Sequence, residues 1–554
     1  MKKASGWLSF HWMDSVFYLI ICSLFLLIPS DTVRAQKYFT AEKSYVLKLG
    51  TTRPLSESIS MAATDPQKLE KRESNKPHIV PNFAGRRQRG LHNLNSLPKG
   101  ADPLFTANHS RGLENEILPE FTFEGINESV SGSEPPDVNG DVGKDFYVEI
   151  VNATFLRVYD KSGHAVSNLI TANTIWSQVQ QTSAGDPILL YDQEADRWFL
   201  TEFPSSNRIL IAISHDGDPR GTWDVYTFQT PRFPDFPKYA IWNDSYFMTD
   251  NESGASAPIY AINRHDLLNG IDSVRFQRLT VPKLNGVFFE VGQPVDWDGM
   301  KPPPENSPGI VVKLNDDDWG STDHDQIVVY KINIDWSNSA NSHVDISSIA
   351  TAPFDTDGCL LESTGGFSCI PQPNGQGIDG GEWIISNKAI YRNFEDHESI
   401  VLSFMVDVTG GDVAGVRWVE FRKVIDQDWK LYQEGTVGSD DGLHRFMPSI
   451  GMDGQGNIGL AYSIAGFEKF PSLRYTGRYS SDPLGEMTFK EYEFATGLGS
   501  LGADRFGDYQ AMSVDPANDH TFWFSGEYVQ AGGDWSTKIV AFDAGRDSID
   551  IFPI

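Results

Sequence analysis

The sequence predicts an all-β chain, a β-propeller of about seven four-stranded blades, with counts of six or eight left open. Three observations carry this. First, one sentence recurs: "GDPILLYDQEADRWFLTEF" near residue 185, "MPSIGMDGQGNIGLAYSI" near 447 and "RFGDYQAMSVDPANDHTFWFSGEYV" at 505–529. Each reads as a short apolar strand, a tight turn and a second strand. Second, aromatics make up 12% of the 554 residues, with 49 Gly and 31 Pro, which suits many short strands joined by turns. Third, no long stretch keeps an apolar period of 3.6, so α/β alternatives fall away.

The repeat extends beyond the hairpins. "RILIAISHDGDPRGTWDVYTF" follows the first and "PSLRYTGRYSSDPLGEMTFKEYEF" the second, so each unit has four apolar runs. Asp-Pro and Gly supply the turns between the last two runs. A four-stranded antiparallel sheet cannot cover both its faces alone, and radial stacking of copies does so. Units are expected to start near Pro136, Gly185, Asp235, Gly292, Trp383, Arg445 and Arg505. The hairpin in each recurring sentence is the inner strand pair of a blade.

Residues 1–35 read as a signal peptide. Lys2 and Lys3 precede the apolar run "VFYLIICSLFLLIP", and a cut after Ala35 is expected. The run is shorter than the roughly 20 residues that span a bilayer. A secreted or cell-envelope location is therefore expected, with no transmembrane segment in the mature chain. Cys22 leaves with the signal. Cys359 and Cys369, bracketing a Gly-rich loop, are expected to form a disulfide in an oxidising compartment.

Residues 36–115 carry 13 Lys and Arg against 7 Asp and Glu, whereas 116–554 carry 29 against 66. The first segment reads as a basic, largely disordered arm or removable pro-segment, and the second as the propeller domain. A body that acidic repels nucleic acid and anionic membranes. A monomer is expected.

Inner strands deliver residues to one mouth of a propeller's channel. Their starts offer Asp137, Asp186, Asp235, Lys238, Gln293, Arg445, Arg505 and Asp508, a mixed set suited to a polar ligand such as a sugar. The same Asp residues would also serve as turn caps paired with Arg. No cofactor is required by this reading, but Ca²⁺ is a candidate at two places. "DVNGDVG" sets Asp137, Asn139 and Asp141 at alternate positions, although Val142 stands where a calcium loop has Gly, and Glu149 comes one place late. "NDDDWGSTDHD" gathers Asp316, Asp317, Asp318, Asp323 and Asp325.

"NFEDHES" places His397 between two carboxylates. With Arg445 or Arg505 and Tyr391 or Tyr509, it is the weak catalytic alternative: a polysaccharide lyase or a glycosidase. Against it stands a structural His at a strand start. No nucleophile elbow, HExxH, P-loop or dinucleotide fingerprint occurs. The leading expectation is a binding protein that engages an extracellular or surface glycan or protein. The alternative is a carbohydrate-active enzyme using the same mouth.

The phrases "PPDVNGDVG", "CIPQP", "YRNFEDHES", "LHRFMPSIGMD", "PSLRYTGRYSSDPLG" and "RFGDYQAMSVDP…TFWFSGEY" appear in this order. In them the chain resembles a family of large secreted, mainly bacterial proteins over roughly 130–545. The resemblance implies a secreted propeller-like domain and supplies no catalytic residues. Where that family commonly has Cys before "TFW", this chain has His520. The turn "SHDGDPRGTW" is similar to the Asp-box of sialidases but two residues longer, and such boxes are structural turns on the outside of blades.

Overall fold

The computed structural model describes residues 41–57, 99–105 and 116–544, apart from 153–154, 255, 285–290, 357–367, 426 and 439. The signal segment and Cys359 lie outside these residues. Of Cys369 only the backbone, within a short strand, is described. The chain from Phe39 on forms one compact unit.

That unit is a β-propeller. Among the described residues, seven four-stranded antiparallel blades occupy 139–171, 185–229, 238–282, 293–350, 389–437, 444–495 and 511–543, the last completed by Phe121–Asn127. Each inner strand packs against the next one, and the seventh against the first, which closes the ring. The strands read as near-continuous apolar runs, such as "RILIAIS" and "ESIVLSFMVD", because each blade is covered on both faces. Each recurring hairpin forms an inner pair, as the repeat predicts. The Asp-box-like turn joins the third and fourth strands of blade 2. There the Ser214 hydroxyl donates to the Asp216 carbonyl, and the Trp223 indole donates to Pro219.

Two sheets join neighbouring blades. The inner strands of blades 4 and 5 pair in parallel, Val295 with Ala389 and Trp297 with Tyr391. The outer strands of blades 2 and 3 are bridged by Glu42–Thr51, which pairs antiparallel with both. This corrects the expected boundary near 116. The sequence sets the arm apart because it is polar and precedes the repeat. Yet "EKSYVLKLGT" alternates, and its Val46 is fully buried while Tyr45 and Leu47 face outward. Leu55 is also fully buried. Further along, Asp102 accepts from Arg417 at 2.6 Å, with both side chains buried.

His444, at the start of the inner strand of blade 6, is buried and accepts the Ala414 backbone N–H on Nδ1 at 3.2 Å. Burial pushes its pKa down to about 4. The folded state thus holds the neutral ring while the unfolded chain takes up a proton below about pH 6.5. This group's contribution is present above the unfolded value and is lost as pH falls toward 4, amounting to about 3 kcal/mol. Compared with His444→Gln by denaturant titration, the wild type is expected to lose stability more steeply between these limits. Parallel pH profiles for the two proteins would refute this.

Candidate functional site: the channel mouth

The starts of the inner strands of blades 1, 2, 3 and 7 bring together a mixed polar cluster. The Asp508 backbone N–H donates to Asp137 at 3.3 Å, and the Tyr509 hydroxyl donates to Asp186 at 2.6 Å. Arg505 donates to Asp508 at 2.8 Å and lies 3.6 Å from Asp379. Asn152, closing the second strand of blade 1, donates to Asp137 at 2.8 Å. Asn251 holds the matching place in blade 3, where its backbone N–H donates to the Asp235 carbonyl at 2.7 Å.

The backbone is bent to deliver these groups. Asp137, Asp186 and Phe236 all have left-handed φ, of 41°, 52° and 52°. Non-glycine residues avoid this region, and strain of this kind gathers at functional sites. In blade 2 the register slips between Gly185 and Ile188, which turns Asp186 out of the ladder. Asp186, Arg505 and Asp508 are half-buried, while Asp137, Asp235, Lys238 and Tyr509 are buried.

Burial, and next the charge of Asp235, raises the Asp186 pKa to about 7. Burial, followed by the Asp186 and Asp508 charges, holds the Asp137 carboxyl well above the usual carboxylate range. Burial pulls Lys238 down to about 8, against the opposing pull of Asp508, Asp186 and Asp137. Its ammonium sits 4.0 Å from the Phe236 ring centroid and 4.3 Å from that of Tyr509, a cation held on two π faces. Titratable groups poised near neutrality in a strained, partly open cluster mark a candidate binding or catalytic site.

Other expected site residues fall elsewhere. Gln293 begins the inner strand of blade 4, and its amide donates to the Pro294 carbonyl. Arg445 is absorbed within blade 6, bound to Glu491 at 2.6 Å and Asp441 at 3.1 Å. His397 sits in the far turn of blade 5, 2.7 Å from Asp396 and stacked on Phe394. Tyr391 donates to Glu398 at 2.8 Å. Thus only Arg505 and Tyr509 of the expected catalytic group reach the mouth. The lyase constellation is not assembled, because each of the others finds its partners locally.

The calcium reading of 137–141 is likewise corrected. Asn139–Val142 is a strand, not a loop. Asn139 accepts from Leu189 at 2.8 Å and donates to Tyr509 at 3.0 Å, while Asp141 accepts from Tyr191 at 3.0 Å. These side chains stitch blade 1 to its neighbours instead of converging on a point.

Asp316, Asp317 and Asp325 do converge, with oxygens within 4.8 Å of one another, a geometry that could hold a metal ion. The Lys99 ammonium lies among them at 2.9, 2.7 and 3.0 Å and also donates to the Phe354 carbonyl. Asp323 stands apart, exposed and paired with His324.

Sequence reasoning missed a second polar group, which lines a cavity at the far ends of the inner strands together with Gln193 and Asp298. The Lys388 ammonium lies 3.4 Å from Asp141 and 3.2 Å from Asp296. Asp296 also accepts the Ile241 N–H at 2.8 Å and is raised by burial to about 6. The signal was present: Asp141, Asp296 and Lys388 each lie a few residues into their units. Phe236, whose ring carries the Lys238 ammonium, was missed as well.

No family model and no curated protein matches the chain. Among solved structures it is similar to Penicillium chrysogenum α-L-arabinanase complexed with arabinobiose, at 11% identity and a TM-score of 0.29, covering 56% of this chain and 93% of that one. The WD40 domain of SCAP from fission yeast matches at 9% identity and a TM-score of 0.33, covering 76% and 98%. A mutant of Synechocystis apocarotenoid oxygenase matches at 11% and 0.35, covering 67% and 72%. Likeness at this level carries nothing about chemistry. Among the described residues, no helix is long and apolar enough to cross a membrane.

Proposed function

We propose that this chain is a secreted β-propeller that binds an extracellular or surface glycan at the channel mouth. The observation that carries the reading is the cluster of Asp137, Asp186, Asp235 and Asp508 with Lys238 and Arg505, held on strained backbone and partly open to solvent. Carboxylates accept and guanidinium donates, so a polyhydroxylated ligand finds both partners. The lyase alternative loses its basis because His397 and Arg445 are paired away from the mouth.

A second reading, a glycoside hydrolase in the same mouth, draws support from one feature. Asp186 is raised to about 7, which suits a general acid beside carboxylates that ionise differently.

Titration of the protein with a panel of neutral, amino and anionic oligosaccharides tests both readings. Binding of at least one oligosaccharide is expected, and Asp186→Asn is expected to weaken it about tenfold or more. Release of new reducing ends by the wild type alone would favour the hydrolase. Equal binding by wild type and variant, or none by either, would overturn the proposal.

The same substitution is expected to stabilise. With its folded pKa raised above the unfolded one, Asp186 costs stability as pH climbs from about 4 through 7. Asp186→Asn should therefore gain about 4 kcal/mol near pH 8 and nothing near pH 4, read by denaturant titration. A variant less stable at pH 8 would argue that Asp186 is a structural cap.

A further inference from the structure

The seam that closes the ring, between blade 7 and blade 1, holds two buried carboxyl groups. Glu149 sits on the second strand of blade 1 and Glu527 on the second strand of blade 7. Both are fully buried, and among the described residues neither is in an ion pair. One oxygen of each has no hydrogen-bond partner. The other oxygen of Glu527 accepts the Gly507 N–H at 2.8 Å. That of Glu149 accepts the Ile126 N–H at 3.1 Å and the Tyr159 hydroxyl at 3.4 Å. An unpaired charge is expensive in such a place, and a carboxyl group avoids it by keeping its proton.

Glu149 is tied to the strand that fastens the ring. The ladder of Phe121–Asn127 with Trp535–Asp543 slips between Glu124 and Asn127. The slip lets the Ile126 N–H reach both Glu149 and the Thr537 hydroxyl, the latter at 2.8 Å. The carboxyl packs on Gly125, where an added Cβ would come within 2.5 Å of both its oxygens. Thr537 in turn stands opposite Glu527 in the next ladder. Around Glu149 are Tyr147, Tyr159 and its ladder partner Arg157, with Asp141 paired to Lys388 and Lys538 paired to Glu124. Around Glu527 are Glu128, Glu134 and Asp508, while Arg505 is engaged by Asp508 and Asp379. Burial raises Glu149 to about 7, against the pull of Thr537, the Ile126 N–H, Arg157 and Tyr159. Burial likewise holds Glu527 well above the usual carboxylate range.

We propose that this seam is a proton-dependent lock: the closing strand Phe121–Asn127 is held fast while Glu149 and Glu527 are neutral and loosens as they ionise. The lock is independent of what the channel mouth binds. Detaching the strand lets water reach Glu149, which regains its ordinary value near 4.5. The closed seam thus holds its proton more tightly than the opened one. Closure is at full strength below the opened-state value and weakens as pH climbs through 7.

Amide hydrogen exchange of the full chain at pH 5 and pH 8, corrected for intrinsic rates and read by mass spectrometry, tests this. Peptides covering 121–127 and 535–543 are compared with the buried strand 398–407 of blade 5. Opening of the closing strand is expected to rise about 70-fold between the two pH values from Glu149 alone, and far less in blade 5. Glu149→Gln should remove most of that rise. Glu527→Gln should reduce it separately, so that either variant suffices if the other fails to fold. Equal protection of the closing strand at both pH values would overturn the lock. So would a rise matched in 398–407, or one left unchanged in the substituted proteins.

Discussion

A chain that begins at Glu116, lacking the arm, is expected not to fold stably. Removing Glu42–Thr51 opens the outer edges of blades 2 and 3 together, since this strand hydrogen-bonds to both. Unpaired edges of this kind recruit other chains. The deletion also strips fully buried Val46 and Leu55, each worth about 1.5–3 kcal/mol when buried. Two further losses are electrostatic. Arg417 loses Asp102, and three buried carboxylates lose Lys99. Breaking a buried pair costs about 3–5 kcal/mol because the other charge stays behind. These costs together rival the roughly 5–15 kcal/mol that holds a domain folded. Expression of the shortened chain should yield aggregate, or a soluble form whose melting point lies far below that of the full chain. A cooperative transition within a few degrees of the full chain would show that the arm strand is dispensable.

Lys99→Ala should cost about 3–5 kcal/mol. The ammonium is held so firmly that its pKa lies above that of an ordinary lysine: burial opposes the charge, but Asp316 and Asp325 outweigh it. Without it, Asp316, Asp317 and Asp325 face one another across less than 4.8 Å. Hard divalent cations bind such oxygen sets. Added Ca²⁺ or Mn²⁺ should therefore raise the melting point of the variant by several degrees while leaving the wild type unmoved, because Lys99 already fills the space. Scanning calorimetry with and without the ion reads both effects. Loss without metal rescue would leave the electrostatic account standing and remove the cation-site account.

The ring was legible because each blade repeats the same local grammar. The predicted starts at 136, 185, 235, 292 and 445 fall within three residues of inner strands, and those at 383 and 505 fall six residues short, since turn chemistry and apolar runs mark those positions locally. The arm strand was not legible, because a single amphipathic strand has no repeat to declare it and its partners lie some 170–230 residues away. Of the mouth, the Asp residues and Arg505 were found by position. Arg445 was misassigned because the bulge between Phe446 and Ser449, with Met447 at φ 47°, breaks the register on which the assignment relied. Lys99 was unreadable for a different reason. Its binding partners sit more than 200 residues downstream, and a lysine in a polar stretch ordinarily signals solvent.

The ring's fastening has a consequence in time. Phe121–Asn127 completes the last blade by pairing with Trp535–Asp543, so one of the first strands to be synthesised waits for the last. At about 5–20 residues per second, that interval is on the order of 20–80 seconds. Until then the nascent chain can form its middle blades but cannot lock. A ring whose clasp joins two strands so far apart in the chain stays unlocked until the later one has emerged.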